Sequence, residues 1–189
     1  MIKEQHQEII AVGDLQFTRY ISAEDIEQKV EEIADSIRED FHEKYPMFLV
    51  VMNGAFIYAA DLIRKLEFPC ELNFVRISSY HGTESTGNVT FSIPTNVDFK
   101  DRHIIVVEDI IDTGNTMAAF IPALMELGPA SVSLTSILVK KEAHRHLIKT
   151  DYPGFDIPNK FVVGYGLDYH GMGRNLKDIY QLYQGSKEK

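Results

Sequence analysis

The residues best suited to chemistry lie together in Val106-Val107-Glu108-Asp109-Ile110-Ile111-Asp112-Thr113-Gly114-Asn115-Thr116-Met117. Thr113, Gly114, Asn115 and Thr116 place two hydroxyls, a glycine and several backbone N–H groups at the expected start of a helix. Unpaired donors and the positive end of the helix dipole favour a phosphate there. No lysine stands in this stretch, and no segment of the chain fits the glycine-rich loop ending in Gly-Lys-Ser/Thr that cradles a nucleoside triphosphate. The arrangement suits a single phosphate monoester. Glu108 and Asp109 offer adjacent carboxylates that accept hydrogen bonds from the two hydroxyls of a ribose, directly or through a divalent metal that prefers oxygen ligands. Asp112 is left to act as a base. A solvated acidic turn with Asp112 capping a helix would read similarly, but the acidic pair, the isoleucine pair, Asp112 and both threonines occur together.

The elements around this cluster follow from hydrophobic spacing. Ser22 is the expected N-cap of a helix in which Ile26, Val30, Ile33, Ile37 and Phe41 recur every three or four residues. An unbroken apolar run over 48–52, the pair Asn53-Gly54 and a helical stretch over 55–66 read as strand, tight turn and helix. A second run over 73–77 ends in Ser78-Ser79-Tyr80, and the polar HGTESTG after it reads as an exposed loop. NVTFSI has strand character, 103–107 is the strongest apolar run, a helix is expected over 117–127, and β character returns over 131–139. Continuous rather than alternating apolar strands, separated by helices, predict an α/β fold with a mostly parallel sheet covered on both faces. Ligands of such sheets bind at the carboxyl ends of the strands, here at Asn53, Tyr80 and Glu108.

Composition narrows the class further. The 189 residues are 44% apolar and 25% charged, within the range of ordinary globular domains. They suffice for one core and one domain. Twenty-eight acidic against 19 basic residues give a net charge of −9, the wrong sign for a protein that lives on a nucleic-acid backbone. Cys70 is the single cysteine, so no intramolecular disulfide forms. The N-terminal MIKEQHQEII lacks the apolar core of a signal peptide, and no apolar run is long enough to span a bilayer. A cytoplasmic soluble protein is expected.

With those residues in view, the twelve-residue segment resembles the phosphoribosyl pyrophosphate loop of the type I phosphoribosyltransferases, and VVEDIIDTG is similar to the hypoxanthine-guanine members. Ser79-Tyr80 with STG at 85–87, Leu138-Val139-Lys140, and KFVVGY at 160–165 with Leu167-Asp168-Tyr169 resemble that family in order and spacing. The likeness covers about residues 10 to 183. It implies transfer of 5-phosphoribosyl from phosphoribosyl pyrophosphate to a 6-oxopurine, with Mg²⁺, by a homodimer or homotetramer. It also implies a single domain over 1–189 with the type I fold: a twisted, mostly parallel sheet with helices on both faces, and a small hood from segments near 1–20 and 151–189.

Residue by residue, the resemblance implies that Glu108, Asp109 and Thr113 to Thr116 bind the phosphoribosyl group and that Asp112 takes the N7 proton of the purine. Lys140 donates to the purine O6; adenine presents an amino donor there, which such a site rejects. Phe161 stacks on the ring, and the backbone carbonyls of Val162 and Asp168 accept from a guanine amino group. Asn53, Gly54 and Arg174 face pyrophosphate, Ser79 and Tyr80 belong to a mobile lid, and Glu108, Asp109 and Asp168 hold metal. The turn after the second strand departs from the pattern. It reads Met52-Asn53-Gly54, without the family's frequent Lys or Arg, and a cis bond is expected between Met52 and Asn53. A second basic residue expected after Lys140 falls on His144 or Arg145. Two rival readings are an aspartic-protease signature in Asp112-Thr113-Gly114, at odds with alternating strands and helices, and a nucleotide-sensing regulator that keeps the phosphoribosyl pyrophosphate loop.

Overall fold

The computed structural model describes residues 8–79, 89–92, 97–183 and 185. Its strands are β1 (Ile9–Val12), β2 (Leu15–Ile21), β3 (Met47–Met52), β4 (Glu71–Ser79), β5 (Val89–Ser92), β6 (His103–Ile111), β7 (Ser131–Val139), β8 (Tyr152–Asp156), β9 (Val162–Val163) and β10 (Ile179–Leu182). Its α-helices are α1 (Ala23–Phe41), α2 (Phe56–Lys65) and α3 (Asn115–Met125). The chain forms two compact units, one of residues 29–159 and one of residues 1–28 with 160–189.

The larger unit holds a six-stranded sheet in the order β5-β4-β3-β6-β7-β8, parallel throughout except for antiparallel β5. Its central strands are apolar on both faces because helices cover both. Met47, Leu49 and Val51 of β3 join Ile104 and Val106 of β6, Leu134 of β7, and Met117, Phe120 and Leu124 of α3 in one buried cluster. Thr135 follows Leu134 and so points to the opposite face; there its hydroxyl meets Tyr58 of α2 at 2.5 Å. The expected two-sided covering is borne out. The α1 stripe from Ile26 to Phe41 is buried at each of its five positions, and Ser22 caps that helix by accepting from the Asp25 N–H at 3.1 Å.

The crossover that matters for the site lies between β3 and β6. From β3 the chain runs outward to β4 and β5, then returns to β6 and continues to β7 and β8. The carboxyl ends of β3 and β6 therefore flank a switch point of the topology, where open α/β sheets bind their ligands. The β3–β6 ladder stops at Val50↔Val107, whereas β6 stays paired with β7 as far as Ile111↔Val139. Beyond Val107 the two strands part, and Glu108 and Asp109 enter that divergence. The sequence predicts that this strand ends at Glu108; pairing with β7 carries it on to Ile111.

The smaller unit is a four-stranded antiparallel sheet in the order β1-β2-β10-β9. Val12, Leu15, Phe17, Val163 and Tyr180 form its core. This unit draws on residues 1–28 and 160–189. Residues 152–156 instead pair in parallel with β7 as the last strand of the larger sheet, because backbone hydrogen bonding outweighs the poor strand propensity of Pro153 and Gly154.

Candidate active site

The loop expected to bind phosphate begins where β6 ends. Gly114 is the N-cap of α3 and adopts φ +80°, a left-handed conformation that glycine takes without penalty. A Cβ there would also lie 3.0 Å from Ile148 Cγ1. The backbone N–H of Arg145 donates to the Thr113 carbonyl at 2.9 Å, so residues 145–148 brace the loop from one side. Asn115 N–H faces the Thr113 hydroxyl at 3.4 Å, and Asn115 is exposed while Thr113 and Thr116 are half-buried. The first turn of α3 is where the sequence places an anion. Of the two basic candidates after Lys140, Arg145 is exposed, and the buried Nε2 of His144 has no hydrogen-bond partner among the described residues.

Asp109 lies against the turn after β3. Each carboxylate accepts from the next backbone N–H: Glu108 Oε1 from Asp109 at 3.0 Å, and Asp109 Oδ1 from Ile110 at 2.7 Å. A Cβ built on Gly54 would fall 1.5 Å from Asp109 Oδ2 and 2.4 Å from its Cγ. No side chain fits at position 54 while Asp109 keeps its place. The Met52–Asn53 peptide is cis, as expected, and Asn53 is exposed beside it.

Burial, and then the neighbouring charge of Asp109, pushes the Glu108 carboxyl well above the ordinary glutamate range. Folding therefore favours its protonated form. That contribution is complete below the ordinary glutamate value of about 4.5 and fades as pH climbs through the raised value in the folded protein. Glu108→Gln, which stays neutral, is expected to raise Tm at about pH 8 and to leave it unchanged at about pH 4. Thermal melts at the two pH values check this.

This donor set fits a hard divalent cation that brings further oxygens with its ligand. Among the described residues no three His, Cys, Asp or Glu side chains gather into a self-sufficient cage. Mg²⁺ commonly takes only one or two protein carboxylates and completes its shell from phosphate and water. Glu108 and Asp109 supply such a pair.

Lys140 follows β7 and is 5% exposed. A buried ammonium needs acceptors, and Lys140 Nζ has two: Asp112 Oδ2 at 2.8 Å and Asn159 Oδ1 at 3.3 Å. The Asp112 side chain is half exposed. The structure thus brings the expected base and the expected purine donor into direct contact, although 28 residues separate them. Asn159 is the site residue that sequence reading missed, since an Asn between a proline and a lysine gives no signal of its own.

The remaining candidates stand in the smaller unit. Phe161 is 43% exposed, which removes the core reading and leaves an apolar ring at the surface. Tyr169 meets it edge to face with centroids 5.9 Å apart, and Phe17 lies at 6.1 Å. Val162 is paired with Gln181 in β9. Asp168 accepts from Arg174 Nη2 through Oδ1 and from the Gly171 N–H through Oδ2, both at 2.6 Å. Arg174 Nη1 donates to the Gly166 carbonyl at 2.6 Å, so the guanidinium is held in one orientation. Ser79 ends β4, paired with Val89; Tyr80 and the rest of the expected lid lie outside the described residues.

Comparison with known proteins gives this arrangement its class. The model of the phosphoribosyl transferase domain matches residues 18–170, and the chain belongs to that family. The hypoxanthine-guanine phosphoribosyltransferase of Lactococcus lactis is 40% identical over 157 residues, covering 82% of this chain and 85% of its own. The hypoxanthine-guanine-xanthine phosphoribosyltransferase of Tritrichomonas foetus is 37% identical over 171 residues, 89% of this chain and 92% of its own. A hypoxanthine phosphoribosyltransferase structure from Staphylococcus aureus matches with a TM-score of 0.86 at 30% identity, over 93% of this chain and 96% of that one. Within the family the chain sides with these purine-salvage transferases, and it is an enzyme of that kind.

Proposed function

We propose that the chain transfers 5-phosphoribosyl from phosphoribosyl pyrophosphate to hypoxanthine or guanine, releasing pyrophosphate and giving IMP or GMP. The observation that carries this reading is the 2.8 Å contact between Lys140 Nζ and Asp112 Oδ2. A purine presents O6 and N7 side by side on one edge. A lysine donor and a carboxylate acceptor held side by side match a 6-oxopurine that carries its proton on N7.

In this reading the first turn of α3 binds the 5-phosphate, and Glu108 and Asp109 orient the ribose hydroxyls. Lys140 donates to O6, and Asp112 takes the N7 proton as the glycosidic bond forms. Phe161 stacks on the ring, the carbonyls of Val162 and Asp168 receive a guanine amino group, and Arg174 pairs with pyrophosphate oxygens. Asn53 and Gly54 offer backbone N–H groups to pyrophosphate in place of a basic side chain, and Ser79 and Tyr80 belong to a lid that excludes water. The smaller unit serves as the hood. Glu108, Asp109 and Asp168 are the residues that would hold Mg²⁺, which when bound would supply neutralising charge for the departing group. The family likeness further supports a cytoplasmic homodimer or homotetramer that works on small molecules, without nucleic acid or membrane. No helix among the described residues is long and apolar enough to cross a bilayer.

Pyrophosphate release with phosphoribosyl pyrophosphate, Mg²⁺ and each of hypoxanthine, guanine, xanthine and adenine tests the reading. Turnover of 6-oxopurines but not adenine is expected. Saturable binding of phosphoribosyl pyrophosphate with no turnover of any base would favour a nucleotide sensor instead.

A further inference from the structure

We infer that Asn159 is a positioning residue for purine recognition: it holds the Lys140 ammonium in place while Asp112 changes charge during the reaction. The inference rests on Lys140 acting as the O6 donor. An ammonium has three N–H groups. One reaches Asp112 Oδ2 at 2.8 Å and a second reaches Asn159 Oδ1 at 3.3 Å, which leaves one for the base. Lys140 is 5% exposed while Asn159 is itself exposed, so a water that takes the place of the lost amide is an acceptor without a fixed direction.

The two acceptors behave differently along the reaction. When Asp112 accepts the N7 proton its carboxylate becomes neutral, and its hold on the ammonium weakens at the moment when O6 needs a fixed donor. Asn159 does not ionise and keeps accepting throughout. Asn159 thus fixes the direction of the Lys140 N–H that separates a carbonyl from an amino group at purine C6, without touching the base.

The test is steady-state kinetics of Asn159→Ala, Asn159→Asp and Lys140→Met, with Tm measured for each. Asn159→Ala is expected to raise KM for hypoxanthine and guanine about fivefold and to lower discrimination against adenine by a similar factor, with KM for phosphoribosyl pyrophosphate unchanged. Asn159→Asp restores KM for the base, because the acceptor returns. Adding Asn159→Ala to Lys140→Met causes no further loss of discrimination. Equal changes in both KM values, or no change in KM for the base, would overturn the positioning role. Lys140→Met with base KM and adenine discrimination intact would instead overturn the reading of Lys140 itself, whatever Asn159→Ala does.

Discussion

Asp112→Asn is expected to lower kcat for hypoxanthine by a factor of about 10² to 10⁴, the usual worth of a positioned general base. KM for phosphoribosyl pyrophosphate should stay within about twofold, because the first turn of α3 and the Glu108–Asp109 pair are untouched. The substitution keeps the size of the side chain and an oxygen for Lys140 Nζ to reach, now at 2.8 Å, but removes the site that takes the proton. It also leaves an ammonium that is 5% exposed with only neutral acceptors, so Tm should fall as well. Reading kcat below the new Tm separates the two effects. A variant with kcat near that of the parent would remove Asp112 from the chemistry.

Gly54→Ala should act on the other substrate. The new Cβ would sit 1.5 Å from Asp109 Oδ2. The atom it meets ends a side chain that can rotate, so the fold survives and Tm moves little. The cost falls on placement: the carboxylate must leave the position in which the proposed reading has it orient a ribose hydroxyl or a metal. Displacing a positioning group by an ångström costs about a hundredfold in rate. Accordingly, kcat/KM for phosphoribosyl pyrophosphate is expected to drop by about two powers of ten. Isothermal titration with phosphoribosyl pyrophosphate and Mg²⁺ checks the binding half of that loss, and binding as tight as in the parent would show that Asp109 adjusts freely.

Gly54 itself was legible as part of a turn, but its partner was not. The central strands could be read because both faces are buried, which leaves unbroken apolar runs such as MFLVV; α1 could be read because only one face is buried, which leaves a stripe. Reading failed where tertiary pairing overrode local character. Glu108 and Asp109 look like the end of a strand, yet β7 holds them in one as far as Ile111↔Val139. YPGFD has a proline and a glycine in its middle, yet it pairs with β7 as β8. The candidate site divides in the same way. Thr113 to Thr116 announce themselves because a helix start is a local event. The meeting of Lys140 with Asp112 and Asn159 depends on where β6, β7 and the segment after β8 finish in space, and spacing along the chain carries no trace of it.

The strand order of the smaller sheet sets a schedule for a chain emerging from the ribosome. Ile21 of β2 pairs with Ile179 of β10, so the partner of an early strand is made last. Residues 29–159 form a contiguous unit and can fold as soon as they appear. At about 5–20 residues per second, β2 waits about 10 to 30 seconds with one edge bare. During that interval the nascent chain presents an open template for strand addition, and this is the stage at which a chaperone has most to protect.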